Sequence, residues 1–124
     1  MPQKILIVDD EAFMLRVAEL SLKKGGYTLI FGHNGVEAVQ LATSEQPALI
    51  VMDVQMPEMD GLAALRHIKQ NPATTHIPVI MITARGHIMT RQEAEALGAT
   101  LFLTKPCSPM HLLKEVQRIL GEAA

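Results

Sequence analysis

Five short apolar runs punctuate the chain: KILIV (4–8), YTLIF (27–31), ALIVM (48–52), PVIMI (78–82) and LFLT (101–104). Each is too short for a buried helix, and most are rich in β-branched residues. Their apolar positions are consecutive rather than alternate, the pattern of a strand buried on both faces. Between the runs the periodicity changes to that of a helix. From Glu11 to Lys24, Phe13, Val17 and Leu20 stand at i, i+4 and i+7, with Gly25 as a stop. Asn34 is placed to cap a helix carrying Val36, Val39 and Ala42, which must end before Pro47. A third helix, over Gly61 to Gln70, sets Leu62, Leu65 and Ile68 on one side. A fourth, over 88–97, stops at Gly98 and follows a loop and strand that contain Pro72 and Pro78. Ser108-Pro109, a cap followed by proline at the first helical position, opens a last helix with Leu112, Val116, Ile119 and Leu120, and Gly121 lies just beyond it. A βα unit repeated five times predicts an α/β fold, a single doubly wound five-stranded parallel sheet with helices on both sides.

Length and charge narrow the class further. A chain of 124 residues is sized for one domain, and we take 1–124 as that domain. Eleven Lys plus Arg against thirteen Asp plus Glu leave a net charge of −2, so no basic face is available for direct nucleic-acid binding. The apolar runs fall far short of the roughly 18 residues that span a bilayer, so no membrane insertion is expected. The start MPQKILIVDD reaches two aspartates too soon for a secretory signal. The single cysteine, Cys107, excludes an intrachain disulfide and suits a reducing, cytoplasmic setting.

Polar residues gather at one kind of position, the carboxyl ends of the strands. Strand one ends in Asp9-Asp10, strand three in Asp53, strand four in Thr83 and strand five in Lys105-Pro106, while strand two ends near Gly32-His33. Taken singly, each has an ordinary explanation. Asp9-Asp10 would cap the first helix, Asp53 would accept from loop amides, Asp60 would cap the third helix, and Lys105 would be a surface lysine. Those explanations do not predict a common edge, and in an open parallel sheet that edge is where ligands bind. Three carboxylates brought together repel: two unit charges about 4 Å apart cost about 4 kcal/mol at an effective dielectric near 20. A divalent hard cation relieves this, and Mg²⁺ suits a site of few carboxylates that retains several waters. With Mg²⁺ and Lys105 the three negative charges are balanced, which leaves the site ready for an anion such as a phosphoryl group.

In its combination of ILIVDD, VMDVQMPEMDG, ITA (82–84) and LTKP (103–106), the sequence resembles the receiver domain of two-component response regulators, from about Lys4 to Leu120. The resemblance implies a flavodoxin-like (βα)5 sheet of order 2-1-3-4-5. It implies that Asp53 accepts a phosphoryl group from a histidine kinase or a histidine phosphotransfer protein. Mg²⁺ would be held by Asp10, Asp53 and the backbone carbonyl of Gln55, with Asp9 acting mainly through a bound water. Thr83 and Lys105 would contact the phosphoryl oxygens, and Phe102 would be the switch aromatic that rotates inward. A cis peptide before Pro106 is also implied. The readout would be a face of helix four, strand five and helix five, with Ile88, Leu101, Phe102 and His111 as candidate surface positions. A downstream effector protein, or an output domain absent from this sequence, would read it, with the chain a monomer or a phosphorylation-dependent dimer. Gln55 and Arg85 occupy the positions that tune dephosphorylation in that family.

Two features depart from the commonest family pattern. Cys107 follows Lys-Pro where phenylalanine is frequent, and is read as a packing substitution. Phe102 has no hydroxyl, so a switch using a tyrosine hydrogen bond is unavailable. The five histidines (33, 67, 76, 87 and 111) share no metal-ligand spacing and are read as surface residues. Met14, Met52 and Met81 read as core filler, and Met56 and Met59 belong to the loop after Asp53. The rival function is a Mg²⁺-dependent phosphohydrolase that passes through an aspartyl phosphate. Such enzymes carry a second carboxylate two residues after the nucleophile as acid and base, and here that residue is Gln55, which cannot shuttle protons. A third reading is a receiver fragment of a longer regulator. In none of the preferred readings is the chain an enzyme beyond self-phosphorylation and slow autodephosphorylation.

Overall fold

The computed structural model describes residues 3–56, 58–83, 88–104 and 108–121, with backbone alone over 88–91. Ten elements alternate along the chain: β1 (Lys4–Val8), α1 (Ala12–Lys23), β2 (Thr28–Gly32), α2 (Gly35–Glu45), β3 (Leu49–Asp53), α3 (Gly61–Gln70), β4 (Val79–Thr83), α4 (Ile88–Ala96), β5 (Leu101–Thr104) and α5 (Pro109–Ile119). All strand pairs are parallel and the order is β2-β1-β3-β4-β5, as the resemblance implies. After β2 the chain crosses back and lays β3 on the other side of β1. The two strands flanking that reversal, β1 and β3, therefore open a crevice at their carboxyl ends. β1 feeds Asp9 to this crevice, and β3 ends in Asp53.

Alternation along each strand divides the core into two layers. Ile5, Ile7, Leu49, Val51, Ile80 and Ile82 point toward α1 and α5, where they meet Leu15, Ala18, Leu22, Leu112 and Val116. Leu6, Val8, Ile50, Met52, Val79, Met81 and Phe102 point the other way, toward Ala38 and Ala42 of α2, Ala64, Leu65 and Ile68 of α3, and Ala94 of α4. Small residues on the inner faces of α2, α3 and α4 let those helices lie close to a sheet whose own side chains are bulky. β3 and β4 are buried at every position, which is why their sequences show no polar alternation.

Helix ends follow local chemistry. Asn34, Asp60 and Ser108 accept from the backbone N–H three residues on, at 2.9, 2.9 and 3.4 Å, and Pro109 occupies the first turn of α5. α1 does not bear out the ordinary explanation of Asp9-Asp10 as its cap, and it is rotated away from the expected stripe. Its N-cap is Glu11, with no side-chain cap bond, rather than Asp9-Asp10. Its sheet-facing stripe is Leu15, Ala18 and Leu22, whereas Phe13 and Leu20 are 74% and 57% exposed. Both stripes have helical spacing, and the rotation of α1 is set by its neighbours rather than by spacing alone. Ser21 sits on the buried flank because its hydroxyl donates to the Pro109 carbonyl at 2.5 Å, tying α1 to the start of α5.

Two glycines hold the turn after β3 in place. The Gly35 N–H donates to the Met59 carbonyl at 2.9 Å and the Gly61 N–H to the Val54 carbonyl at 2.7 Å. A Cβ on Gly61 would collide with the carbonyl oxygen of Asp53, and one on Gly35 with that of Met59. Backbone cannot retreat as a flexible side chain can. Gly61→Ala is therefore expected to lower stability by about 1–3 kcal/mol, as overpacking does, measured by urea unfolding. A wild-type midpoint would mean that this turn yields without cost.

Candidate functional site

The carboxyl edge of the sheet brings together residues that are more than 40 positions apart in sequence. One carboxylate oxygen from each of Asp9, Asp10, Glu11 and Asp53 lies within 4.8 Å of the others. Asp9 and Asp53 are buried, each 6% exposed, whereas Asp10 and Glu11 are open to solvent. Burying a carboxylate is costly unless it is hydrogen-bonded or paired. Asp9 accepts from the Glu11 N–H at 2.9 Å, and its own N–H donates to the Gly32 carbonyl at 3.2 Å, so the end of β2 helps to fix it. Asp53 accepts from the Gln55 N–H at 3.3 Å, the loop amide expected of a strand-end aspartate. Both of these donors are neutral amides, so neither bond cancels carboxylate charge. The donor set, all hard oxygens with two of the four carboxylates facing water, fits a divalent cation such as Mg²⁺.

Thr83 closes β4 two strands from β1. It is fully buried, and its Oγ1 has no hydrogen-bond partner among the described residues. An enclosed hydroxyl without an acceptor costs about 1–3 kcal/mol, so Thr83 is a group at the site edge with free energy to gain from an acceptor beyond the described residues. Beneath the acids, between the sheet, α1 and α5, lies a cavity of about 30 Å³ lined mainly by apolar residues, among them Ile7, Met14, Val17, Val51 and Leu112. Among the described residues its charged lining groups are Asp9 and Asp53, so the floor of the site is apolar and the carboxylates form its polar rim.

Of the residues singled out from sequence, Asp9, Asp10 and Asp53 converge and Thr83 stands on the same edge. Gln55 is exposed just beyond Asp53. Lys105 and Pro106, with Cys107, Arg85 and His87, lie outside the described residues, as does the side chain of Ile88. Glu11 was not singled out, although the acidic triplet DDE held the signal. Phe102 departs from its reading as a surface position: it is 6% exposed and belongs to the α4-side core, since β5 pairs it with Met81, whose side chain points inward. Leu101 is half-buried on the opposite side, and His111 is exposed. Met52 and Met81 are fully buried, and Met14 is half-buried along the cavity. His33, His67, His76 and His111 are exposed. His33 donates its backbone N–H to Glu37 and places Nδ1 3.1 Å from the same carboxylate, and these bonds hold the Glu37 carboxyl below its ordinary range.

A sheet of this order with acids at its switch point defines a class, and comparison with known proteins agrees. The profile of the response regulator receiver domain matches residues 5–117. The chain belongs to the response regulator receiver domain family. It is 35% identical over 120 residues to the alkaline phosphatase synthesis transcriptional regulatory protein PhoP of Bacillus subtilis, covering 97% of this chain and 49% of that protein. It is 32% identical over 123 residues to the polar-differentiation response regulator DivK of Brucella anthropi, covering 99% of this chain and all of that protein. The receiver domain of the sensor histidine kinase PA1611 from Pseudomonas aeruginosa PAO1, solved with a magnesium ion coordinated in its active site cleft, superimposes with a TM-score of 0.89 at 30% identity, covering 98% of this chain and all of that one. The chain spans about half the length of several curated relatives it matches. No helix among the described residues is long and apolar enough to cross a membrane.

Two outcomes test the site's electrostatics. Asp10→Asn should raise the stability of the metal-free protein by about 1 kcal/mol, the part of the repulsion that survives solvent screening. The same change should remove most of the stabilisation that Mg²⁺ confers on the wild type. Thermal unfolding with and without Mg²⁺ measures both, and identical midpoints in all four samples would contradict a coupled acid site. Separately, Thr83→Val exchanges an unpaired buried hydroxyl for a methyl group. The unfolding midpoint should rise by about 3–5 °C, equivalent to about 1 kcal/mol. A fall of that size would mean the hydroxyl already has an acceptor.

Proposed function

We propose that the chain is a phosphorylation-dependent signalling switch in which Asp53 accepts a phosphoryl group from a phosphohistidine of a histidine kinase or a histidine phosphotransfer protein. The observation that carries this is the meeting of a buried strand-end carboxylate, Asp53, with three further carboxylates at the sheet's switch point. An Asp53 oxygen attacks phosphorus as the N–P bond to the donor imidazole breaks. The product is an acyl phosphate, and the electron pair of the broken bond stays with the imidazole, which takes up a proton. Catalysis of such a transfer is mostly positioning and charge stabilisation.

Asp9, Asp10, Asp53 and the Gln55 carbonyl would hold Mg²⁺, with Asp9 acting through water. When bound, that ion supplies the positive charge that lets a phosphoryl group approach a carboxylate. The backbone bonds to Asp9 and Asp53 keep the acids oriented, so that little is reorganised at the moment of transfer. Thr83 would donate its unpaired hydroxyl to a phosphoryl oxygen, and Lys105 would pair with another. Gln55 stands where aspartyl-phosphate hydrolases need a second carboxylate, and its amide cannot move protons, which favours a persistent phosphoryl group over turnover. The α4–β5–α5 face would then be read by an effector protein or by an output domain, as the residues 1–124 would form one receiver unit in either arrangement. A cytoplasmic setting accords with kinase partners.

Incubation with Mg²⁺ and a small phosphodonor such as acetyl phosphate is expected to add one phosphoryl group, located on Asp53 by peptide mass spectrometry after borohydride trapping. Asp53→Asn should abolish the label. Label on a histidine or serine, or rapid multiple turnover of phosphomonoesters, would overturn the assignment.

A further inference from the structure

We infer that α1 is a self-association surface: two copies of the chain pair through its outward stripe in antiparallel order, with Asp10 of each copy against Lys24 of the other. The pairing does not depend on the function proposed above. Phe13, Leu20 and Met110 are the large apolar side chains exposed among the described residues, at 74%, 57% and 63%. Two of them share one line on α1. Asp10, Phe13, Val17, Leu20 and Lys24 follow one another at alternating intervals of three and four residues, the spacing of a helix-pairing seam. Val17 is half-buried and the other four are exposed. Met110 follows Pro109, whose carbonyl accepts from the Ser21 hydroxyl, so the third exposed side chain stands beside the same helix.

The order of charges along the stripe says what covers it. Acidic residues, Asp10 and Glu11, stand at its start and basic ones, Lys23 and Lys24, at its end, with apolar residues between. Lys23 is engaged with Glu19 of its own helix at 3.4 Å, whereas Lys24 has no ion pair among the described residues. Opposed in antiparallel order about Val17, two such stripes bring Phe13 against Leu20 and Asp10 against Lys24, twice each. The helix dipoles are then opposed as well. A parallel pair would instead set acid on acid and lysine on lysine. Twofold pairing requires a surface that matches its own reverse, and this stripe does. About 20 Å of helix separates Asp10 from Lys24, so the contact belongs with the small interfaces that associate weakly.

Sedimentation equilibrium of the full, untreated chain from about 0.01 to 1 mM tests this. The average mass should rise with concentration toward that of a dimer. Leu20→Glu should weaken pairing by at least about tenfold, because each interface buries two copies of this leucine. Circular dichroism checks that the variant keeps its helices, and Phe13→Glu gives a second measurement on the same seam. Lys24→Asp should also weaken pairing. Asp10→Lys combined with Lys24→Asp should restore it, since the exchange keeps opposite charges facing. A chain that stays monomeric throughout overturns the inference. So does a dimer that folded Leu20→Glu and Phe13→Glu leave unchanged, or one that forms only after acetyl phosphate and Mg²⁺. A double exchange that fails to restore pairing overturns the antiparallel order. None of these results bears on phosphorylation of Asp53, so the proposed function stands or falls by its own test.

Discussion

Repulsion among carboxylates at one edge of a parallel sheet is the constraint around which this molecule is arranged. Asp9, Asp10, Glu11 and Asp53 are held within 4.8 Å of one another, two of them buried. Nothing in the backbone bonds to Asp9 and Asp53 neutralises them, because each accepts from an amide, a dipole rather than a charge. Such a cluster is tolerable only because the rest of the fold is stable enough to hold it. The stability comes from two apolar layers and a sheet whose central strands are wholly buried. A divalent cation at this edge would offset the repulsion among the four carboxylates.

The supporting structure is local and specific. The turn after β3 is pinned by Gly35 and Gly61, whose missing side chains allow two helix starts to approach backbone carbonyls on either side of the acid-bearing loop. The Ser21 bond to the Pro109 carbonyl joins α1, which follows the acid pair, to α5, which follows strand five. The loops that carry chemistry are thus attached to helices that are attached to each other. Phe102 is packed into the α4-side core, and on the adjacent strand the buried Thr83 hydroxyl has no hydrogen-bond partner among the described residues.

The fold was legible because its signals are local. Continuous β-branched runs, Asn34, Asp60 and Ser108 as caps, and Gly98 with a φ of +100° just past α4 each act within a few residues, and the elements fall within about one residue of expectation. The acid pair and Asp53 were legible for the same reason, since each lies at the end of a recognisable strand. Errors came where a neighbour decides. α1 carries two apolar stripes of helical spacing, and the exposed one, Phe13 with Leu20, looks as good in sequence as the buried one, Leu15 with Leu22. Phe102 read as a surface residue because an edge strand has one covered face and one open flank, and spacing does not say which of the two a side chain takes.

By itself the sequence determined the class of fold, the alternation of strand and helix, and which residue types stand at strand ends, because backbone propensity and burial on two faces act through short-range pattern. Only the tertiary structure decided that β3 lies beside β1, so that acids more than 40 residues apart share a crevice, that Glu11 joins them, and that the Thr83 hydroxyl is enclosed with no partner among the described residues. Those facts depend on strand order, register and the rotation of helices about their axes. They are set by the whole core packing at once, which no short stretch of chain encodes.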